Sequence, residues 1–408
     1  MPDTAWLDAF DLDPDTVHLN HGSFGAVPRV VSEQQRRVRA RGEANPMRFF
    51  RVESPQLKEQ ARGVAAEFLD VEPDAVALVR NVTTSAAVVL SSLAEQGRLG
   101  PGDVVLLAAS GYHSVRLAVA RECARVGATY AVVDFPVDAD DEQVVLAYRE
   151  ALDDAAGRVR LVVVDQVTSP TGAVLPVAQV SALAHEAGAL CFVDAAHVPG
   201  QLPARPRATG ADFWTGTWHK WGFAPRGTTA LWVAPDERPG VQPLTTSWNH
   251  GQPFPLPFDA TGTDDYSGWY CLSTALDFWS SAGGPDIAAR AEALLDKGAA
   301  QVAESLEVGA LAGSVPGADD PPATPPRPAP CLRLVPLPPG VADTDPAAAA
   351  LYRALSARGV ETQIVAYAGR GWVRLSAALY NGADDYARLA ELLPDAVAEV
   401  ARAQASSS

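Results

Sequence analysis

Lysine is scarce in this chain, which makes its amine chemistry easy to locate. Among 408 residues there are three lysines, Lys58, Lys220 and Lys297. Lys58 sits in Gln56-Leu57-Lys58-Glu59-Gln60 and Lys297 in Leu294-Leu295-Asp296-Lys297-Gly298, contexts that read as solvated helical faces. Lys220 instead follows Trp214-Thr215-Gly216-Thr217-Trp218-His219 and precedes Trp221. An ammonium in such apolar company loses hydration and its pKa falls, which is what an imine-forming amine requires. A surface lysine snorkelling past the tryptophans would give the same local pattern.

Asp194 narrows the choice. It ends the apolar run Ala189-Leu190-Cys191-Phe192-Val193 and precedes Ala195-Ala196-His197, 26 residues before Lys220. A carboxylate at the end of a buried parallel strand points into the crevice where α/β sheets bind ligands. Asp also caps helices, so a purely structural use is the competing reading. Asn81-Val82-Thr83-Thr84-Ser85 supplies a third element. It opens a helix-like stretch after an apolar run, and helix N-termini seat anions. A lysine for an aldehyde, a carboxylate for a ring nitrogen and a phosphate seat are together the requirements of pyridoxal phosphate.

These features resemble the class-V aminotransferase group of pyridoxal-phosphate enzymes of fold type I, and more narrowly its isopenicillin-N-epimerase-like subgroup. The matching stretches include Leu19-Asn20-His21-Gly22-Ser23-Phe24-Gly25, Asn45-Pro46-Met47-Arg48-Phe49-Phe50, Thr168-Ser169-Pro170-Thr171-Gly172, Val193-Asp194-Ala195-Ala196-His197, His219-Lys220-Trp221, Gly262-Thr263 and Val373-Arg374-Leu375-Ser376. The resemblance runs from about residue 17 to 395. It implies that Lys220 bonds the cofactor's aldehyde and shuttles protons, that Asp194 pairs with the pyridine nitrogen, and that His197 lies near the ring hydroxyl. Tyr112 or His113 would stack on the ring; Ser110-Gly111-Tyr112-His113 leaves the register open. Thr168 or Ser169 would contact the ring hydroxyl. Val82, Thr83, Thr217 and His219 would hold the phosphate. Thr263 would reach the phosphate of a partner subunit, which implies a homodimer with shared sites. Arg374 would grip the substrate carboxylate, with Asn20 at the same end, and a planar guanidinium fork suits that task.

That machinery labilises bonds at Cα of an amino acid. The resemblance is compatible with β-elimination, decarboxylation-linked deamination, epimerisation and transamination. Gly262-Thr263-Asp264-Asp265 departs from the family's frequent Gly-Thr-Arg-Asp, which weakens the case for a substrate with an anionic distal group. Aromatic residues gather near the motifs: Trp214, Trp218, Trp221, Trp248, Tyr266, Trp269 and Tyr270. Packing accounts for most such rings, whereas Trp248-Asn249-His250 reads as a polar-aromatic loop. The leading expectation is β-elimination (a C–S lyase) or decarboxylation-linked deamination of a bulky cysteine S-conjugate in specialised, antibiotic-type metabolism, with an epimerase or aminotransferase as alternatives. A cysteine desulfurase would need a catalytic thiol, for which Cys331 is the only candidate. A degenerate, non-catalytic scaffold is the non-enzymatic alternative; a nucleotide-binding enzyme is disfavoured by the lack of a glycine-rich phosphate loop.

The elements that must position these residues are legible as an alternation. Strand-like runs fall at 76–80, 103–108, 130–133, 159–165, 190–194 and 228–233, with helix-like stretches at 84–96, 114–126, 142–156 and 177–187. This is the pattern of an α/β protein with a mostly parallel, seven-stranded-type sheet covered on both faces. From about 276 the character changes to a helix at 287–308, a proline-rich stretch at 313–339 with a strand at 331–335, a helix at 345–358, strands at 363–366 and 371–376, and a helix at 384–402. The expected division is a large cofactor-binding domain at 16–275 and a small α+β domain from 1–15 and 276–408. The tail from Ala405 reads as disordered.

Composition bounds the rest. Apolar residues make up 48% and charged residues 20%, with a net charge of −17. Such a surface repels nucleic-acid backbones and anionic lipid, so a small-molecule substrate is expected rather than nucleic acid or membrane. No apolar run approaches the roughly 20 residues of a membrane helix. The first 15 residues lack a secretory pattern, and four scattered cysteines without a CxxC pair suit a reducing cytoplasm and no metal site.

Overall fold

The computed structural model describes residues 4–310 and 324–405. Seven strands form the main sheet: β1 (Val76–Val79), β2 (Val104–Ala108), β3 (Thr129–Val133), β4 (Val159–Asp165), β5 (Leu190–Ala195), β6 (Phe213–Thr217) and β7 (Thr229–Val233). Their order across the sheet is β1-β7-β6-β5-β4-β2-β3. All neighbours are parallel except β7, which runs antiparallel to both β1 and β6.

Alternation along each strand divides the core into two layers. Leu161, Val163, Phe192 and Phe213 pack on one face with the helices Val82–Glu95 and His113–Val126. Val162, Val164, Val193 and Trp214 face the other way, with the helix Val177–Glu186. Central strands buried on both faces read as continuous apolar runs, which is why β4 and β5 are plain in the sequence. β6 is not. Phe-Trp-Thr-Gly-Thr is short and interrupted by glycine, yet all five residues are buried. The sequence shows this window as the setting of a lysine, whereas the structure makes it the strand that carries Thr217 to the site.

The strand order reverses between β2 and β4, and a crevice opens at such a point beyond the carboxyl ends of the strands. A second sheet, β8 (Leu332–Pro336), β9 (Gln363–Tyr367) and β10 (Arg370–Ser376), is antiparallel in the order β9-β10-β8. It lies against the helix Asp286–Ala310, which packs on the helix Ala383–Ala405. The early chain is held by the C-terminal part of the molecule. Val17–His18 pairs with Val360–Glu361, and Ser376 donates from its amide to the Leu19 carbonyl at 3.1 Å. The expected tail beyond Ala405 and much of the proline-rich stretch lie outside the described residues.

One expectation is corrected by the packing. Lys58 is not a solvated lysine but is 8% exposed on the helix Ser54–Leu69. Its Nζ donates to the Asp259 carbonyl and sits 3.5 Å from the centre of the Tyr266 ring. Burial lowers its pKa to about 8. A charged five-residue window could not reveal this, because the groups that cover Lys58 lie some 200 residues away in sequence.

Candidate active site

Loops after five strands converge on one cleft. Its walls include Asn81, Val82 and Thr83 after β1, Tyr112 after β2, Ser169 after β4, Asp194, Ala196 and His197 from β5, and Thr217, His219 and Lys220 from β6. Ser23 and Phe24 close it from the N-terminal segment. Gly25 makes this approach feasible. It adopts φ 61°, and a Cβ there would overlap the His219 carbonyl oxygen.

Lys220 reaches into the cleft with Nζ 3.0 Å from Nε2 of His197. Burial lowers its pKa to about 8, outweighing the favourable charge of Asp194. Burial also drives His197 well below the usual histidine range, with the Lys220 cation adding to the effect. The neutral imidazole therefore accepts from the ammonium. The loop carrying Lys220 is fixed from below by His21. Ala26 donates its amide to His21 Nδ1 at 3.3 Å, so Nε2 carries the proton and donates to the Lys220 carbonyl at 2.8 Å. Burial lowers the pKa of His21 to about 4, which keeps that tautomer neutral.

Asp194 accepts the Ala196 amide through Oδ1 at 2.9 Å, while Oδ2 is buried without a partner. Burial raises its pKa to about 6. A buried carboxylate oxygen left unpaired is costly, and a protonated ring nitrogen would satisfy it. The opposite end of the cleft suits a phosphate. Asn81 caps the helix Val82–Glu95 by accepting the Thr84 amide at 2.8 Å, which leaves the first turn facing the cleft. Thr217 Oγ1 lies 2.5 Å from Nδ1 of His219 and orients that ring beside the seat. With Lys220 between these two ends, the cleft fits pyridoxal phosphate.

The layer behind this cleft is built by the second sheet. Arg374 on β10 is 3% exposed and lies one layer behind the cleft wall. Its guanidinium donates to the Ser169 carbonyl, and to Asn20 Oδ1 and Ser23 Oγ at 3.0 Å each. Nε is buried without a partner, and burial lowers the pKa to about 10. Asn20 in turn donates to Gln363 Oε1 at 3.3 Å.

Two expected residues lie elsewhere. Thr168 is fully buried in a turn, its hydroxyl 2.5 Å from that of Thr171 and accepting the Ala173 amide at 2.9 Å; Ser169 is the one that lines the cleft. His113 is exposed at the start of the helix His113–Val126 and accepts from Arg116 at 3.0 Å, which leaves Tyr112 at the cleft. Thr263 belongs to a second cleft, with Phe50, Lys58, Trp248 and Tyr266. Trp248 is 95% exposed there, whereas Trp214, Trp218, Trp221 and Trp269 are buried core residues. Asp264, at the position where the family often has arginine, pairs with Arg80. Sequence reasoning missed His21, Gln363 and Asp165. Asp165 carried the same signal as Asp194, a carboxylate closing an apolar strand, and the two are register partners on β4 and β5.

Comparisons with known proteins agree with this geometry. The model of the family described as Aminotransferase class-V matches residues 25–319. A putative L-cysteine desulfhydrase of Oryza sativa subsp. japonica is 35% identical over 272 residues, covering 64% of this chain and 56% of that protein. The match thus spans little more than half the length of that relative. The isopenicillin N epimerase of Amycolatopsis lactamdurans is 33% identical over 305 residues, covering 69% of this chain and 75% of the relative. A solved cysteine desulfurase from Thermococcus onnurineus NA1 shares the fold at a TM-score of 0.74 and 16% identity, covering 98% of this chain and 99% of that one. The cystine C–S lyase C-DES shares it at a TM-score of 0.72 and 21% identity, covering 94% and 98%. Sequence match, sheet order and cleft lead to one conclusion: the chain belongs to the class-V aminotransferase family.

Proposed function

We propose that this chain is a pyridoxal-phosphate-dependent lyase that breaks the Cβ–S bond of a cysteine-derived amino acid. The observation that carries the reading is the cleft's single amine, Lys220 Nζ, held 3.0 Å from a neutral His197 with no thiol on the cleft walls among the described residues. Bound between Asp194 and the helix Val82–Glu95, the cofactor supplies an electron sink for charge developing at Cα. Lys220 takes the Cα proton and can return a proton to the departing sulfur. His197 keeps the lysine oriented, and burial of the amine favours its free form. In balance, the Cα–H and Cβ–S bonds break and a thiol leaves with the proton. The three-carbon remainder, 2-aminoacrylate, is hydrolysed by water to pyruvate and ammonia.

Two features refine the substrate. The unpaired Nε of Arg374 and its neighbours Asn20 and Ser23 suit an α-carboxylate. Phe24, 71% exposed at the cleft mouth, offers an apolar face to a bulky S-substituent, consistent with a conjugate from specialised metabolism. The four cysteines are all buried, and burial pushes the Cys331 thiol up, which favours release of the thiol over its capture on the enzyme. We also propose a homodimer in which Thr263, on the face carrying exposed Phe50 and Trp248, completes the partner's phosphate seat.

A second reading, epimerisation, is favoured by the similarity to an isopenicillin N epimerase. One assay separates the two. The loaded protein is mixed in heavy water with α-amino acids and cysteine S-conjugates and followed by mass spectrometry. Pyruvate and free thiol establish the lyase. Deuterium at Cα of an otherwise intact substrate, without thiol release, replaces it with the epimerase; a lost carboxylate or a conserved amino group on pyridoxamine phosphate would instead identify decarboxylation or transamination.

A further inference from the structure

Asp165 has no place in the mechanism above, yet it closes β4 beside Asp194 on β5, is 4% exposed and lines the same cleft. Register partners on neighbouring parallel strands project to the same side of the sheet, so the two carboxyls emerge together at the ring-nitrogen end. Asp165 Oδ1 accepts the Tyr112 amide at 3.2 Å. Its Oδ2 faces Gly111, where an added Cβ would lie 3.2 Å away, so the loop is shaped around this carboxyl.

We propose that Asp165 is a positioning residue of the cofactor site: a neutral carboxyl that holds the proton of the Asp165–Asp194 pair and anchors Tyr112 at the cleft. The identity of that site rests on the pyridoxal-phosphate reading.

The surroundings explain why the proton stays. The groups facing Asp165 are Asp194 from β5, Lys220 from the loop after β6, Tyr148 from the helix Asp141–Asp154 and the Tyr112 amide from the loop after β2. Burial raises the pKa of Asp165 well above the carboxylate range and the Asp194 charge adds to it; the Tyr112 amide and Lys220 oppose this with smaller effects. Tyr148 is held neutral by its own burial. Two buried carboxylates side by side cannot both ionise near neutrality, and Asp194 is the one whose fully buried oxygen lacks a partner, while Asp165 accepts the Tyr112 amide. The outcome is a single negative charge where one ring N–H must be met.

Asp165→Asn copies the neutral group in shape and still accepts the Tyr112 amide; Asp165→Ala removes both properties. Folding equilibria of the full chain would be measured from pH 6 to 8, as purified and after cofactor removal. An acid held protonated only in the folded state makes folding less favourable as pH rises above its unfolded value. The ratio of folding constants, Asp165→Asn over wild type, is therefore expected to grow by up to about tenfold per pH unit. A flat ratio, or an Asp165→Asn chain that fails to fold at pH 6, overturns the proposal. Hydrogen exchange at Gly111–Tyr112 is expected to be faster in Asp165→Ala but unchanged in Asp165→Asn; equal exchange in all three overturns the anchoring role. Because the stripped chain reports on the carboxyl pair alone, a failed cofactor assignment would leave this result intact, and the reverse also holds.

Discussion

Replacing Arg374 by methionine separates substrate recognition from structural support. In the free chain the guanidinium is buried, and burial lowers its pKa from 12.5 to about 10. That fall corresponds to about 3 kcal/mol of unfavourable free energy in the charged form. Opposing it are the hydrogen bonds donated to Ser169, Asn20 and Ser23, each worth about 1.5 kcal/mol net for a charged donor. The two contributions nearly cancel, so Arg374→Met should alter folding stability by less than about 2 kcal/mol. Substrate recognition has no such compensation. Loss of a buried, charge-assisted contact to the α-carboxylate costs about 2–5 kcal/mol, a fall in kcat/KM of roughly thirty- to several-thousandfold. Urea unfolding, cofactor titration and thiol release measured on the same preparation would give all three quantities. A variant destabilised by more than about 4 kcal/mol, or one that loses cofactor and substrate equally, would show Arg374 to be a strut between β10 and the N-terminal segment.

Lys220→Ala should abolish the visible absorbance of lysine-linked cofactor, and a normal spectrum in that variant would remove Lys220 from its role. In the stripped wild-type chain, the rate of cofactor attachment should rise about tenfold per pH unit and level off above pH 8, because the attacking form is the free amine and its pKa is lowered to about 8. A rate still climbing steeply at pH 9 would contradict that lowering. Thr263→Ala should weaken cofactor retention several-fold without changing the fold, as read by dialysis and circular dichroism; a strictly monomeric active enzyme would contradict the proposed reach into a partner. Gly200→Ala should lower stability by more than about 3 kcal/mol, since Gly200 has φ 97° and a Cβ would overlap the Trp221 carbonyl. An unchanged thermal midpoint would mean that the Trp221 loop yields without cost.

The sequence by itself determined the chemistry's ingredients and much of the scaffold. β2, β4 and β5 are readable because strands covered on both faces must be apolar throughout, and Asp194 stands out because it breaks such a run at its end. Lys220 is readable because only three lysines exist and one of them lies among tryptophans. What a window of neighbours cannot carry is the identity of residues brought from elsewhere. β6 emerges only as the partner of β5 and β7. Tyr112 is distinguished from His113 by where the loop after β2 turns, and Ser169 from Thr168 by which side chain closes the turn on itself. The burial of Lys58, the support of the Lys220 loop by His21 and the pairing of Asp165 with Asp194 are likewise tertiary facts. Each depends on a register or a contact spanning tens to hundreds of residues. Local propensity fixes which face a side chain points to, but only packing decides what it meets there.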